Sequence, residues 1–453
     1  MDHSKQLGEE KISKLLLKFS VPAIIGMLVS ALYNVVDRIF IGNSSGSLGI
    51  AGITIGFPIM LIMMGFAMLI GVGATALISI RLGEQKREEA DVILGNAFTM
   101  LVIIGILITI PGLVFLDPIL KLFGASKDVL PFAKDYMSII LIGSVFQSIG
   151  FGMNNFIRAE GNPKKAMATM LIGAILNAIL APIFIFILHW GMKGAALATI
   201  IAQLVTAVWV LSHFISGKSL LKLQIKNLMP RASIIAGVTA IGLAPFAMQM
   251  ANSLLNVIMN KGLSNYGGDV AVSGMGIVNS ILTLIMMPIF GINQGVQPII
   301  GYNYGAKKFD RVTIALKAAI VAATVIVVIG YIATRLFPAQ LVSIFNSTDK
   351  ELIAFGSHAI TVFMMFMPVI GFQIVGAIYF QAVGKAKQAM ILSLSRQVLI
   401  FIPALLILPV FFKLEGILIA GPVSDLLSSM ITGICLFFEL KSLNTKHETI
   451  INV

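Results

Sequence analysis

The 453-residue sequence predicts an all-α polytopic membrane protein, with twelve transmembrane helices in two six-helix lobes related by a pseudo-twofold axis along the membrane normal. Three observations carry this. Hydrophobic residues make up 58% of the chain and charged residues only 11%, where soluble domains carry roughly a quarter charged. Apolar runs longer than the ~20 residues needed to cross the hydrocarbon recur along the whole length. The chain also matches itself at a shift of 222 or 223 residues.

In chain order the apolar runs predict spans over 15–41, 52–80, 92–116, 132–157, 166–188, 194–216, 233–260, 271–300, 313–337, 352–380, 388–412 and 415–439. Backbone polar groups in lipid must be satisfied within the segment or in a closed barrel. Continuous apolar runs of this length lack the alternation of barrel strands, so the spans are helices. No room is left for a sizeable soluble domain.

The self-match is ordered. Pro22 falls on Pro245, "LIMM" at 61–64 recurs at 284–287, and "RAEGNPKKAM" (158–167) lies over "QAVGKAKQAM" (381–390). A shift of 222 pairs Gly83 with Gly305, Lys86 with Lys308, Gly194 with Gly416 and Ala198 with Ala420. Each half therefore holds six spans, and an even number gives both halves the same orientation in the membrane. The predicted organisation is a tail (1–14), a lobe (15–216), a basic linker (217–232), a second lobe (233–440) and a second tail (441–453). Two such lobes around a cavity suit alternating access, with the substrate near mid-membrane. Transport is the leading class.

The net charge of +12 raises the question of nucleic acid. Of the 32 Lys and Arg, 21 fall on the side of the N-terminus and 9 opposite, while Lys317 and Arg396 lie within spans. The positive-inside rule makes both termini and the linker cytoplasmic, and the basic excess faces anionic lipid rather than nucleic acid. The first apolar run is too long for a signal-peptide core and is expected to be retained. The lone Cys435 excludes an intrachain disulfide and a cysteine metal cluster.

Few polar residues interrupt the spans. Asp37 lies in the outer half of span one, about three turns after Pro22. A carboxylate costs roughly 2.5–3.5 kcal/mol at a transmembrane helix centre on insertion scales, and such groups usually face a bundle interior or a wet cavity. Desolvation suits it to reversible protonation, and neighbouring amides or hydroxyls suit it to Na⁺. The bland alternative is an ion pair with Arg38. Tyr33 and Asn34, at i−4 and i−3, share its helix face. In the second half its position is Asn260, flanked by Asn256 and Asn252. The carboxylate is not duplicated, which assigns ion coupling to the first lobe and substrate contact or helix glue to the second.

Asn177 and Thr199 interrupt spans five and six, and Gln203 extends the face of Thr199. With Asp37 they supply oxygens of the kind a bound Na⁺ wants, although each also serves as a hydrogen bond between helices. Arg396 and Asp425, inside spans eleven and twelve, read as a structural pair. Among the 24 Met, Met63, Met170 and Met286 are assigned to the cavity, because a flexible thioether suits a surface that accepts many apolar ligands.

Enzyme motifs fail. "GNSSG" (42–46) lies between apolar helices where no strand–turn–helix elbow forms, "SHFISGKS" (212–219) lacks the first Gly of a phosphate loop, and no H-E-x-x-H occurs. Sequons stand at Asn43 and Asn346. No metal site and no cofactor are expected.

With these residues in hand, the sequence resembles the MATE (multidrug and toxic compound extrusion) transporters, in their MepA-like branch, over nearly the whole chain. The resemblance rests on "LYNVVDRIFIG" (32–42), "RLGEQKREEA" (81–90), "FIRAEGNPKKAM" (156–167) and the duplicated plan. It implies an antiporter that expels amphipathic, often cationic compounds as H⁺ or Na⁺ moves inward across the cell membrane. Such a chain works singly among membrane lipids. Asp37 matches the family's first-span carboxylate and Tyr33 a cavity residue, while Asn177 and Thr199 match polar positions of spans five and six. The family often carries an Asp one turn after that Asn, but here the position is Ala181, and Asn256 and Asn260 stand where another branch has carboxylates in span seven. One carboxylate suffices for a proton more readily than for a dehydrated Na⁺, so H⁺ is the expected ion. A lipid-linked sugar or lipid flippase would carry several cations in its cavity, whereas spans one, two, seven and eight hold only Lys18 and Arg38 near their ends. An intramembrane enzyme has only Arg396 and Asp425 to offer.

Overall fold

The computed structural model describes residues 5–217, 219–345 and 349–451, and their side chains except at 33–35, 38, 39, 42, 43, 46, 47, 269, 444 and 446–451. The side chains of Tyr33, Asn34, Arg38 and Asn43, and all of Asn346, thus lie outside the described residues.

In chain order the helices are α1 (Lys5–Glu9), α2 (Ile12–Gly83), α3 (Arg87–Val114), α4 (Leu116–Leu122), α5 (Leu130–Ile142), α6 (Ser144–Ala159), α7 (Pro163–Pro182) and α8 (Gly191–Ile215) in the first half. The second half holds α9 (Ala232–Gly305), α10 (Phe309–Leu336), α11 (Pro338–Ser343), α12 (Lys350–Phe363), α13 (Met367–Ala382), α14 (Ala386–Leu394) and α15 (Ile402–Ile451). No strand occurs among the described residues, as expected where each segment must satisfy its own backbone.

Three helices are too long to be single spans. The 72 residues of α2 would reach ~108 Å at 1.5 Å per residue, against a hydrocarbon core of ~30 Å. Gly8, just before α2, and Gly83, at its end, both pack on Tyr302, so α2 folds back and supplies spans one and two. Helix α9 reverses at Gly268, whose φ of +63° is open to glycine without strain, and α15 breaks at Lys413. Bent helices supply one span in each half: α5 and α6 meet at 54°, α12 and α13 at 53°. Among the described residues nine helices are long and apolar enough to cross a membrane, or eleven with the bent pairs. The stretch Ala386–Leu443 is 58 residues long and contains the break at Lys413, so the bundle has twelve spans in two lobes.

The lobes meet where their helices cross without side chains between them. A Cβ on Gly83 would fall on the carbonyl oxygen of Tyr302, and one on Gly305 on that of Ile80, a reciprocal contact between repeat-related residues. One apolar core extends through the C-terminal lobe and takes from the N-terminal lobe only residues near the ends that carry the termini, such as Phe19, Ile70, Ile78, Leu94, Phe156 and Phe214. A second core, from Ile41 and Met63 to Tyr136, Ala181 and Ala195, lies wholly within the opposite half of the N-terminal lobe. Past Met64, Gln249 and the ring pair of Phe66 with Phe246, 4.8 Å apart, Phe57, Leu254 and Val257 are exposed. The lobes are closed on the terminus side and part toward the other.

Both expected tails carry helix in the described residues, and the linker does not hang free. Helix α1 lies inside the 1–14 segment, and α15 continues to Ile451. The linker is tied to α3: Asn96 Nδ2 donates to the Asn227 carbonyl at 3.1 Å, Thr99 Oγ1 to that of Leu228 at 2.7 Å, and the Lys222 amide to Asp91 at 2.8 Å.

Candidate functional site

Between its two cores the N-terminal lobe contains a polar layer. Asn177 Nδ2 donates to Thr199 Oγ1 at 2.9 Å, joining α7 to α8, and Thr199 in turn donates to the Ala195 carbonyl at 3.1 Å. At the bend between α5 and α6, Ser144 Oγ lies 2.7 Å from Thr109 Oγ1 and donates to the Gly105 carbonyl at 2.8 Å. Gln203 turns toward the same bend, beside Gly143. Here Asn177 pairs with Thr199 and Ser144 with Thr109, while Gln203 Oε1 is buried with no hydrogen-bond partner among the described residues.

Asp37 is 7% exposed at the upper edge of this layer. Two contacts bracket its height: Gly26 of α2 meets the Met170 sulfur of α7 toward the terminus side, and Phe40 meets Phe186 edge-on at 5.9 Å on the other. Between those contacts Asp37 comes near the outer end of α7, where Ala181 stands one turn after Asn177. Ala181 is itself buried in the second core, so the position that resembles a family carboxylate is filled by a methyl group packed with Ile185 and Met192. Among the described residues no cluster of His, Cys, Asp or Glu able to hold a metal ion occurs.

The remaining sequence candidates separate. Met63 and Met286, expected on the cavity, are core residues at 1% and 7% exposure, because their unbranched side chains fill gaps between helices. Met170 is wedged between Gly26 and the Arg158 guanidinium, whose Nη2 lies 3.4 Å from its sulfur. Asn256 and Asn260 are exposed on α9, and Asn256 Nδ2 donates to the Asn252 carbonyl at 2.8 Å. Arg396 Nε donates to Asp425 Oδ1 at 2.6 Å across the C-terminal lobe, from a π-helical segment, Ser395–Phe401, that also turns Gln397 to Asn252 at 2.7 Å.

Sequence reasoning missed a buried network below the layer. Glu160, inside the "RAEGNPKKAM" stretch, accepts from His213 and from Ser219 of the linker, and His213 Nδ1 lies 2.6 Å from Lys165 Nζ. These partners are 53 and 59 residues from Glu160, and the only sequence signal was an acid between apolar helices.

A bundle of twelve membrane helices in two related lobes, parted on one side and with polar groups held inside, defines a membrane transporter rather than an enzyme. Residues 22–183 and 244–406, one stretch in each lobe, match the MatE family, and the chain belongs to it as a multi-pass protein of the cell membrane. It is 29% identical over 412 residues to the "Multidrug export protein MepA" of Staphylococcus haemolyticus, covering 90% of each chain, and 29% identical over 409 residues to that of Staphylococcus aureus. Among solved structures it is similar to the MATE multidrug transporter DinF-BH, there in a complex, with a TM-score of 0.89, 43% identity and 95% and 96% of the two chains covered. The bent conformation of another MATE gives a TM-score of 0.92 at 24% identity over 99% of each chain.

Proposed function

We propose that this transporter is a secondary active multidrug efflux antiporter, exporting amphipathic, often cationic compounds in exchange for H⁺ by alternating access between its lobes. The observation that carries the reading is Asp37, a carboxylate 7% exposed between the residues of the two N-lobe cores, while a buried alanine, Ala181, stands where a second acid would be expected. Ionised, it favours a cation in the cleft. Protonated from the open side, it loses that attraction, and the drug leaves outward. Asn177 and Thr199 hold α7 and α8 in register behind it. Tyr33, Asn34, Asn256 and Asn260 would face the substrate. The relatives named for multidrug export, and the likeness to the multidrug transporter DinF-BH, support the substrate class.

Both termini and the linker would face the cytoplasm, consistent with the basic excess on that side. The chain would work singly, surrounded by lipid, with no cofactor beyond the coupling ion. Dye efflux from proteoliposomes under an imposed pH gradient or an imposed Na⁺ gradient tests the reading. Export driven by the pH gradient in Na⁺-free buffer is expected. Export that follows only the Na⁺ gradient contradicts H⁺ coupling.

A further inference from the structure

The loops after spans two and eight are repeat equivalents, and they have diverged in one respect. In the N-terminal lobe the loop satisfies itself: Arg81 bridges Glu84 at 2.6 Å and Glu89 at 3.1 Å, and Lys86 bridges Glu84 at 3.2 Å. At the shift of 222, Arg81, Glu84, Lys86 and Glu89 become Asn303, Ala306, Lys308 and Arg311. Glu84 and Glu89 have no acidic counterpart, and Asn303, Lys308 and Arg311 are left as donors, while the exposed Asp310 matches Glu88.

The missing acceptors come from the N-terminal segment. The Leu7 carbonyl accepts from Asn303 Nδ2 at 2.8 Å and Arg311 Nη2 at 3.1 Å, that of Gly8 from Lys308 Nζ at 2.9 Å, and that of Glu10 from Arg311 Nη2 at 2.6 Å. These are end carbonyls of a five-residue helix, too short to persist alone, and cations are favoured at such an end. Arg311 is held for the task by its own bond to Asn303 Oδ1 at 2.9 Å. Leu7 is fully buried beneath the contact. On its other side α1 is fixed to the N-terminal lobe: Gln6 Nε2 donates to the Gly161 carbonyl at 2.6 Å, Lys18 donates to Gln6, and the chain continues directly into α2.

We propose that α1 is a strap: an arm of the N-terminal lobe that grips the C-terminal lobe through Asn303, Lys308 and Arg311, holds the terminus-side seam closed, and releases that grip when the seam opens. The proposal rests on alternating access but not on the identity of the ion. It explains why acids present in one repeat are absent from the other, since a carboxylate at 306 or 311 would compete for the donors that α1 needs.

The test places spin labels at Lys164→Cys and Lys387→Cys, exposed repeat equivalents on the two lobes, in a Cys435→Ala background, and reads their distance in lipid nanodiscs by pulsed electron resonance. Arg311→Ala should raise the ratio of long to short distances on the order of tenfold, the effect of losing hydrogen bonds to a charged group. Gln6→Ala, which leaves the C-terminal lobe intact and only frees the arm, should raise it severalfold. Glu89→Gln, in the self-satisfied loop, should leave it unchanged. Distances that widen with pH in the parent but are identical in Arg311→Ala and Gln6→Ala overturn the strap and leave the transport reading standing. A seam that widens in none of the proteins overturns both.

Discussion

The two lobes share a helix plan and differ in where they keep their polar groups. The N-terminal lobe has its apolar core in two pieces, with Asn177, Thr199 and Ser144 between them and Asp37 at their edge. The C-terminal lobe has one core, in which the half-buried Arg396 is tied to the buried Asp425, and Tyr379 and Lys385 donate to the buried Glu439. At the repeat shift Asp37 meets Asn260, Thr199 meets Gly421, and Asp425 meets Gln203, so neither polar set is a copy of the other. A duplicated scaffold thus holds in one half a buried carboxylate, Asp37, that the other half does not repeat.

The largest break in that comparison should come from the fixed pair. Removing one partner of a buried ion pair costs roughly 3–5 kcal/mol, whereas replacing both by apolar residues is often neutral. Arg396→Met alone should sharply lower the melting temperature in detergent, and Arg396→Met with Asp425→Leu should recover most of it, with export still driven by the pH gradient. If the double variant folds but loses the response to pH, the C-terminal lobe shares in coupling.

Next in size is the crossing that makes the lobes equivalent. Gly305→Ala pushes a methyl into the Ile80 carbonyl, and Gly83→Ala does the same to Tyr302, so each should weaken the closed seam by roughly 1–3 kcal/mol. Gly276→Ala, with open space around it, should not. Label distances across the seam report the difference, and equal effects at all three positions would deny the crossing its part.

The smallest effect sharpens the contrast between loops. Burial alone would raise the Glu84 carboxyl, but Arg81 and Lys86 draw it below its ordinary value. A lowered folded pKa means a contribution present above the unfolded value and lost as pH falls through the folded one. Glu84→Gln should therefore cost about 0.2–1 kcal/mol at neutral pH, as exposed ion pairs do, and nothing in strong acid. Melting curves of the two proteins that stay apart at low pH would contradict this.

Much of the architecture was legible because membrane solvation leaves few choices. Long apolar runs must be helices, and the ordered self-match from Pro22 with Pro245 to Ala198 with Ala420 gave the lobes. The break at Lys413 between two apolar runs was legible for the same reason. Within the site, the burial of Asp37 and the proximity of Asn177 to Thr199 follow from polar groups avoiding lipid. Met63 and Met286 pack in the cores, a placement the sequence does not show because it does not tell a packed Met from an exposed one. The contacts of Glu160 with His213 and of α1 with Arg311 were hidden by separation: they join residues 53 and 301–304 apart, and nothing in the chain marks a backbone carbonyl as an acceptor.

The central claim is that the N-terminal lobe alone carries the group that exchanges a proton for a drug. It is tested most directly by measuring proton release in weakly buffered detergent solution as a cationic dye is added to purified protein. Near the pH where Asp37 is largely protonated, the unmodified protein should release about one proton per dye bound, and Asp37→Asn should bind dye with an affinity nearly independent of pH and release none. Proton release of the same size from folded, dye-binding Asp37→Asn would contradict the account and move the coupling group elsewhere.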